Sequence, residues 1–253
     1  MTAILKQRSG TGADQAEWAL RCDMAAVFRA CARLGWNEQI GNHNSLMLPG
    51  EQPLFLINPR GMLFRELTAS SLIVCDLNGN VVRGTGTLRK VAFHIHARIH
   101  MLNPNAVCVL HVHPRYLTAL SMIEGGRLSL SHHNNLRLND RIVYDDASYE
   151  PVGDIDEGDR IARLLGDKTI MVMGSHGVTV VGGTAHDAFG ECCTAESTAM
   201  FQMTARTAKR PLGLLPEKGR VGHLGPWGQI SDSRMLLDAW RRVLDKEEPD
   251  YAS

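Results

Sequence analysis

This chain of 253 residues has no excess of either charge: Lys plus Arg and Asp plus Glu number 27 each. No net field therefore draws a nucleic acid or an anionic membrane surface, and neither is expected as a partner. No apolar run reaches the roughly 20 residues of a membrane span, and MTAILKQRSGTGADQAEWAL lacks the apolar core and cleavage pattern of a secretory signal. A soluble, cytoplasmic protein is expected. The six cysteines (Cys22, Cys31, Cys75, Cys108, Cys192, Cys193) form no CxxC pair, which excludes a zinc knuckle and argues for reduced core residues over a disulfide framework. The vicinal Cys192 and Cys193 read as a helix interior, with a redox or soft-metal pair as the alternative. No GxGxxG follows a strand, and GTGTLRK at residues 84–90 lacks the spacing of a nucleotide-binding loop. Internal repeats and low-complexity runs are absent too.

What is present alternates in period. From about Asp14 to Leu34 the apolar spacing is helical and stops at Gly35. Residues 42–84 change to short strands, with a hairpin signal at Asn78 and Gly79. LRKVAFHIHARIHML places Val91, Ile95, Ile99 and Leu102 at steps of three and four and predicts a helix. AVCVLHVH predicts a buried strand ended by Pro114, and RYLTALSMIE the next helix. After a polar stretch come a short helix at DEGDRIARLLG, a strand pair at TIMVMGSHGVTVVGG and a long helix from AHDAFGECC onward. A Gly/Pro-rich segment, RPLGLLPEKGRVGHLGPWGQ, precedes a last helix near SRMLLDAWRRVL. This order suggests a three-layer α/β domain on a mixed sheet, not a barrel of βα repeats. Residues 1–253 are read as one domain, with 210–253 a C-terminal extension.

Five of the eleven histidines lie between residues 93 and 114. Alternate side chains of a strand share a face, so His111 and His113 of LHVHP project together, and Pro114 places them at a sheet edge where a ligand can reach. His96 and His100, four apart, share a helix face. That spacing also suits a metal, although the glutamate of an HExxH hydrolase is missing. For His94 and His100 a helix face bonded to backbone or water is the simpler reading, while His96 stays open as a site-lining residue. His176 sits between Gly174 and Gly177 at a strand-to-strand turn, where glycines let something approach closely. Spacing alone does not connect it to His111.

VLHVHP, GSHGVTVVGG, INPRGMLFRELTASSL and GNHNSL stand together in the order found in the class II aldolase/adducin family, which the sequence resembles over roughly residues 15–210. The resemblance implies a three-layer α/β/α fold with a central mixed, largely antiparallel sheet. It also implies a divalent ion held by three histidines, here His111, His113 and His176. A homotetramer, with sites completed by neighbouring subunits, is implied as well. The family's sugar-phosphate aldolases open the helix before the HxH with Ser-Ser-Glu. Counting back from His111 puts Ala92 at the glutamate, after Leu88, Arg89, Lys90 and Val91, so the acid–base carboxylate and the phosphate-binding hydroxyls are missing. His43 replaces the asparagine of the early segment, and Arg60, beside Gly61, replaces a smaller residue.

An arginine and an extra histidine near three imidazoles suit a carboxylate, which guanidinium binds through two parallel hydrogen bonds. His43, Arg60, Gly61 and His96 are thus the expected substrate-binding residues. His132 or His133 matches the position from which the family's aldolases take a neighbour's proton donor, a task imidazole can perform near neutral pH. The expected activity is that of a metal-dependent carbon–carbon lyase acting on a small non-phosphorylated carboxylate or hydroxy/oxo acid. Decarboxylation through a metal-stabilised enolate is favoured, since it needs no base to deprotonate a leaving hydroxyl. Zinc is the leading ion, with manganese, iron or cobalt as alternatives. Retro-aldol cleavage, a non-catalytic adducin-like scaffold and an iron-dependent oxygenase are the competing readings.

Overall fold

The computed structural model describes residues 12–138, 140–146, 155–216 and 232–253. Its elements follow the expected alternation: α1 (Gly12–Leu34), β1 (His43–Met47), β2 (Leu54–Ile57), β3 (Ile73–Asp76), β4 (Val81–Arg83), α2 (Lys90–Leu102), β5 (Cys108–Val112), α3 (Arg115–Ser121), α4 (Asn134–Leu138), β6 (Ile142–Asp145), α5 (Ile155–Leu165), β7 (Ile170–Met173), β8 (Gly177–Gly182), α6 (Ala185–Arg206) and α7 (Ser233–Glu247). Of these, α4 and β6 fall in the polar stretch for which the sequence predicts no regular structure. Each is only four or five residues long, too short to show a period.

The strands form one eight-stranded sheet in the order β4-β3-β2-β1-β5-β8-β7-β6. Every neighbouring pair is antiparallel except β6 with β7. The mixed, largely antiparallel α/β sheet is therefore as expected.

Strand alternation sorts the residues of β5 between two helical layers. Cys108, Leu110 and Val112 join the large core with α1, α6 and α7. Val109 turns the other way, onto Ile95 and Ile99 of α2 and Ile161 and Leu165 of α5. His111, next in phase with Val109, shares that second face, as do His43 and Ser45 of β1, in phase with Met47 against α2. The polar chemistry thus gathers where α2 covers the centre of the sheet.

On the opposite face, α1 is buried continuously from Arg21 to Cys31 because helices cover it on the side away from the sheet. Asp23 accepts from Arg234 and Arg241 of α7 at 2.6 Å each, and Arg29 reaches Glu248 and Asp250 at 2.9 and 2.6 Å. Fully burying Leu237 and Leu244 contributes about 1.5–3 kcal/mol apiece, against about 1 kcal/mol or less for partly exposed ion pairs. The apolar contacts therefore hold α7 in place and the ion pairs orient it. The GHLGPWG part of the Gly/Pro-rich segment lies outside the described residues. Among the described residues no helix is long and apolar enough to cross a membrane.

Candidate metal centre

The three histidines come from two separate places in the chain. His111 lies within β5, His113 follows its end, and His176 occupies the turn joining β7 to β8. Because β8 pairs with β5, with His111 opposite Thr179 and Val112 opposite Val178, that turn lands beside the end of β5. The ring centroids are 5.2 Å (His111–His113), 4.8 Å (His111–His176) and 4.9 Å (His113–His176) apart. One ligating nitrogen from each ring lies within 4.8 Å of the other two, the only such metal-ligand group found among the described residues.

Glycine makes this approach feasible. A Cβ on Gly177 would overlap the His113 ring and lie 2.8 Å from the Val112 carbonyl oxygen, so any larger residue there shifts the His113 ring or the strand end. Ser175, just before His176, takes a left-handed conformation at φ 53°, which turns the chain tightly enough to aim the imidazole inward.

Each ring's second nitrogen bears on whether a cation fits. Glu38 takes the Nδ1 of His113 at 2.8 Å, placing that proton on Nδ1. The other nitrogen, Nε2, is buried and has no hydrogen-bond partner, which is a lone pair waiting for a Lewis acid. A carboxylate behind a ligating imidazole is a common way to orient it and raise its basicity. The Nδ1 of His111 faces the Thr179 hydroxyl at 3.4 Å. Burial, then the neighbouring imidazoles, holds His111 well below the ordinary histidine range, and burial with His113 pushes His176 down to about 4. Both are neutral at pH 7 and able to donate a lone pair. The donor set fits a divalent cation.

These rings open onto a cavity of about 320 Å³ whose walls include Glu38, Ile40, His43, Arg89, Val91 and Ile95. A larger hollow of about 660 Å³ beside α7, around Leu236, Trp240 and Val243, holds none of these histidines, so volume does not locate the chemistry.

The substrate-binding residues expected from sequence divide. His43 lines the cavity, stacked on His111 with ring centroids 4.7 Å apart and planes 25° from parallel. His96 does not: it is fully buried behind His43, because the α2 face it shares with His100 packs onto β1. Arg60 and Gly61 are exposed and absent from the cavity wall; the Arg60 amide donates to the Thr87 carbonyl. His132 and His133 also lie outside the cavity of their own chain, at the start of α4, where the His132 ring packs 4.9 Å from that of Phe201.

The guanidinium at the site belongs instead to Arg89, just before α2, held by a 2.7 Å bond to the Gly41 carbonyl. With Ser-Ser-Glu missing, the site's carboxylate comes from a different position, Glu38. Neither carried a sequence signal: Glu38 lies in a loop without a motif, and Arg89 reads as an ordinary charge at a helix start.

Residues 22–203 match the family model described as Class II Aldolase and Adducin N-terminal domain. A protein of Caulobacter vibrioides named "Putative aldolase class 2 protein" is 34% identical over 245 residues, covering 94% of this chain and 93% of that protein. Mouse alpha-adducin is 34% identical over 180 residues, which is 70% of this chain but 24% of the adducin. Among solved structures, an aldolase II superfamily protein from Pseudomonas syringae superimposes with a TM-score of 0.84 at 28% identity, covering 96% of this chain and all of that one.

Proposed function

The chain belongs to the class II aldolase and adducin family, and from that premise we propose that it is a divalent-metal-dependent carbon–carbon lyase acting on a small, non-phosphorylated hydroxy or oxo acid. The observation that carries this reading is the convergence of His111, His113 and His176 on one cavity that also presents Arg89. These three imidazoles are the ligands, and zinc suits them first, with manganese, iron or cobalt as alternatives. When bound, the cation supplies Lewis-acid stabilisation of negative charge developing on a substrate oxygen.

The chain's own residues do the rest. Arg89 binds the substrate carboxylate through paired N–H donors, and Val91 and Ile95 form an apolar wall that limits water around it. Ala92, counted to the place of the sugar aldolases' glutamate, is buried at 1% exposure and offers no proton-transfer group. Glu38 holds His113. Loss of carbon dioxide fits such a site where the acid carries a carbonyl β to its carboxylate: the electron pair of the broken bond passes to that carbonyl, and the carbon left behind needs a proton and no base. His132 or His133 of a neighbouring subunit returns that proton in a homotetramer built from one domain per chain. The Asn134 amide donates to His132 Nδ1 at 3.3 Å, which leaves the ring's own hydrogen on Nε2 as a donor.

A second reading is a scaffold in which the fold persists without chemistry, favoured by the 34% identity to mouse alpha-adducin. One experiment addresses both. Protein loaded with zinc or manganese is given a panel of small hydroxy and oxo acids, and carbon dioxide and aldehyde products are followed by ¹³C NMR. Metal-dependent release of carbon dioxide supports the lyase. Sub-stoichiometric metal after reconstitution, with no product of either kind, favours the scaffold.

A further inference from the structure

Behind the cavity runs a line of polar groups that the proposed chemistry does not use. His43 Nδ1 lies 2.7 Å from His96 Nε2. His96 Nδ1 bonds the Ser45 hydroxyl. That hydroxyl lies 2.8 Å from His100 Nε2, and His100 Nδ1 lies 2.6 Å from the Ala106 carbonyl oxygen. His96 and Ser45 are fully buried, and His43, His100 and Ala106 nearly so. The line exists because His43 and Ser45 project from one face of β1 while His96 and His100, four apart, project from the facing side of α2.

Its far end fixes its direction. A carbonyl cannot donate, so His100 Nδ1 carries a hydrogen, and in a neutral ring Nε2 must then accept. Ser45 spends its single hydrogen on that nitrogen and can only accept from His96 Nδ1. His96 Nε2 in turn accepts from His43 Nδ1. His96 and His100 are buried, both ring nitrogens of each are engaged in this line, and no carboxylate is among their partners in it, the setting of a neutral imidazole. One ring nitrogen of His43 remains, Nε2, with a lone pair and no hydrogen, on a residue that lines the cavity.

We propose that this chain of hydrogen bonds, anchored on the Ala106 carbonyl, locks His43 as a hydrogen-bond acceptor toward the cavity, and that the site therefore selects an acid bearing a hydroxyl beside its carboxylate over the corresponding oxo acid. This rests on the lyase reading for the existence of an acid substrate, with Arg89 as the carboxylate's partner. A hydroxyl satisfies the Nε2 lone pair. A carbonyl oxygen in the same place sets lone pair against lone pair and leaves a buried acceptor unmet, the kind of mismatch on which polar sites discriminate strongly. His43 is then the specificity-determining contact, and Ser45, His96 and His100 are positioning residues.

The test reads protons directly. Long-range ¹H–¹⁵N spectra of the uniformly labelled full chain, without metal and with zinc, report which nitrogen of each imidazole carries hydrogen. The expected result is a hydrogen on Nδ1 of His43, His96 and His100; a hydrogen on His43 Nε2 overturns the proposal, and the wild-type spectrum alone decides this. Lactate and pyruvate are then titrated into the zinc-loaded protein as matched probes. Lactate should bind about tenfold more tightly. Ser45→Ala, which frees His96 to turn its proton toward His43, should bring the ratio close to one. Equal affinity in the wild type, or binding of neither probe while zinc is held, overturns the selection. Failure to hold zinc sinks the metal reading instead and leaves the tautomer result standing.

Discussion

His43 and His111 face each other across neighbouring antiparallel strands, paired in register and stacked with ring centroids 4.7 Å apart. One ring is backed by helix α2 and the other belongs to the histidine cluster. The pair is where the two halves of the site meet, so the groups on either side can be perturbed separately.

Removing a ligand should differ sharply from removing a supporting histidine. His113→Ala is expected to lose bound zinc, whereas His100→Ala retains about one equivalent. The latter loses about 1–3 kcal/mol of stability, because it strands the Ala106 carbonyl and the Ser45 hydroxyl. Metal analysis after reconstitution and a urea denaturation curve measure the two effects. Equal zinc in both variants would mean that His113 is not a ligand.

The carboxylate behind His113 should matter through the metal. Glu38→Ala leaves His113 Nδ1 without its acceptor, and zinc affinity should fall about 10- to 100-fold. Glu38→Gln, which keeps an acceptor oxygen, should fall less. Competition titration against a chromogenic chelator gives both numbers; unchanged affinity in Glu38→Ala would remove Glu38 from the site.

Gly177→Ala tests the close approach at the turn. The added methyl group overlaps the His113 ring and crowds the Val112 carbonyl, so the ring must move. Weaker zinc binding by at least about tenfold is expected, with a lower melting temperature, since relieving an overpacked site costs about 1–3 kcal/mol. Gly213→Ala, where a Cβ meets nothing, is the control.

Acid should unfold this protein through its buried imidazoles. Burial pushes His100 down to about 4, while an unfolded histidine titrates near 6.5. Between those values the unfolded chain binds a proton that the native one refuses, so this contribution is complete above about pH 6.5 and is lost as pH falls toward 4. For His100 alone the loss approaches about 3 kcal/mol. His43, His96 and His111 act in the same direction. Urea midpoints at intervals from pH 7 to 4.5 should decline steadily, and more shallowly in His100→Gln; a flat profile would show that these rings already titrate in the native state.

Much of this was legible in the chain. The steps of three and four in LRKVAFHIHARIHML and the apolar run before Pro114 mark α2 and β5, because burial on one helix face or inside a sheet leaves a period. The family motifs pointed to His111, His113 and His176, which the fold brings together. Arg60 was expected at the pocket and Arg89 lines it, because motif position shows which segment approaches a pocket but not which way a side chain leaves it. Short elements such as β6 left no period to find.

By itself, the sequence determined the order of the longer elements, the absence of a net charge to draw polyanions and the strand-end HxH, since these follow from local spacing and composition. Tertiary structure alone decided that the turn at His176 meets the end of β5, that Glu38 stands behind His113, and that His96 lies behind His43. Those relationships depend on strand order and on which face of the sheet α2 covers, and both are set by packing between residues tens of positions apart.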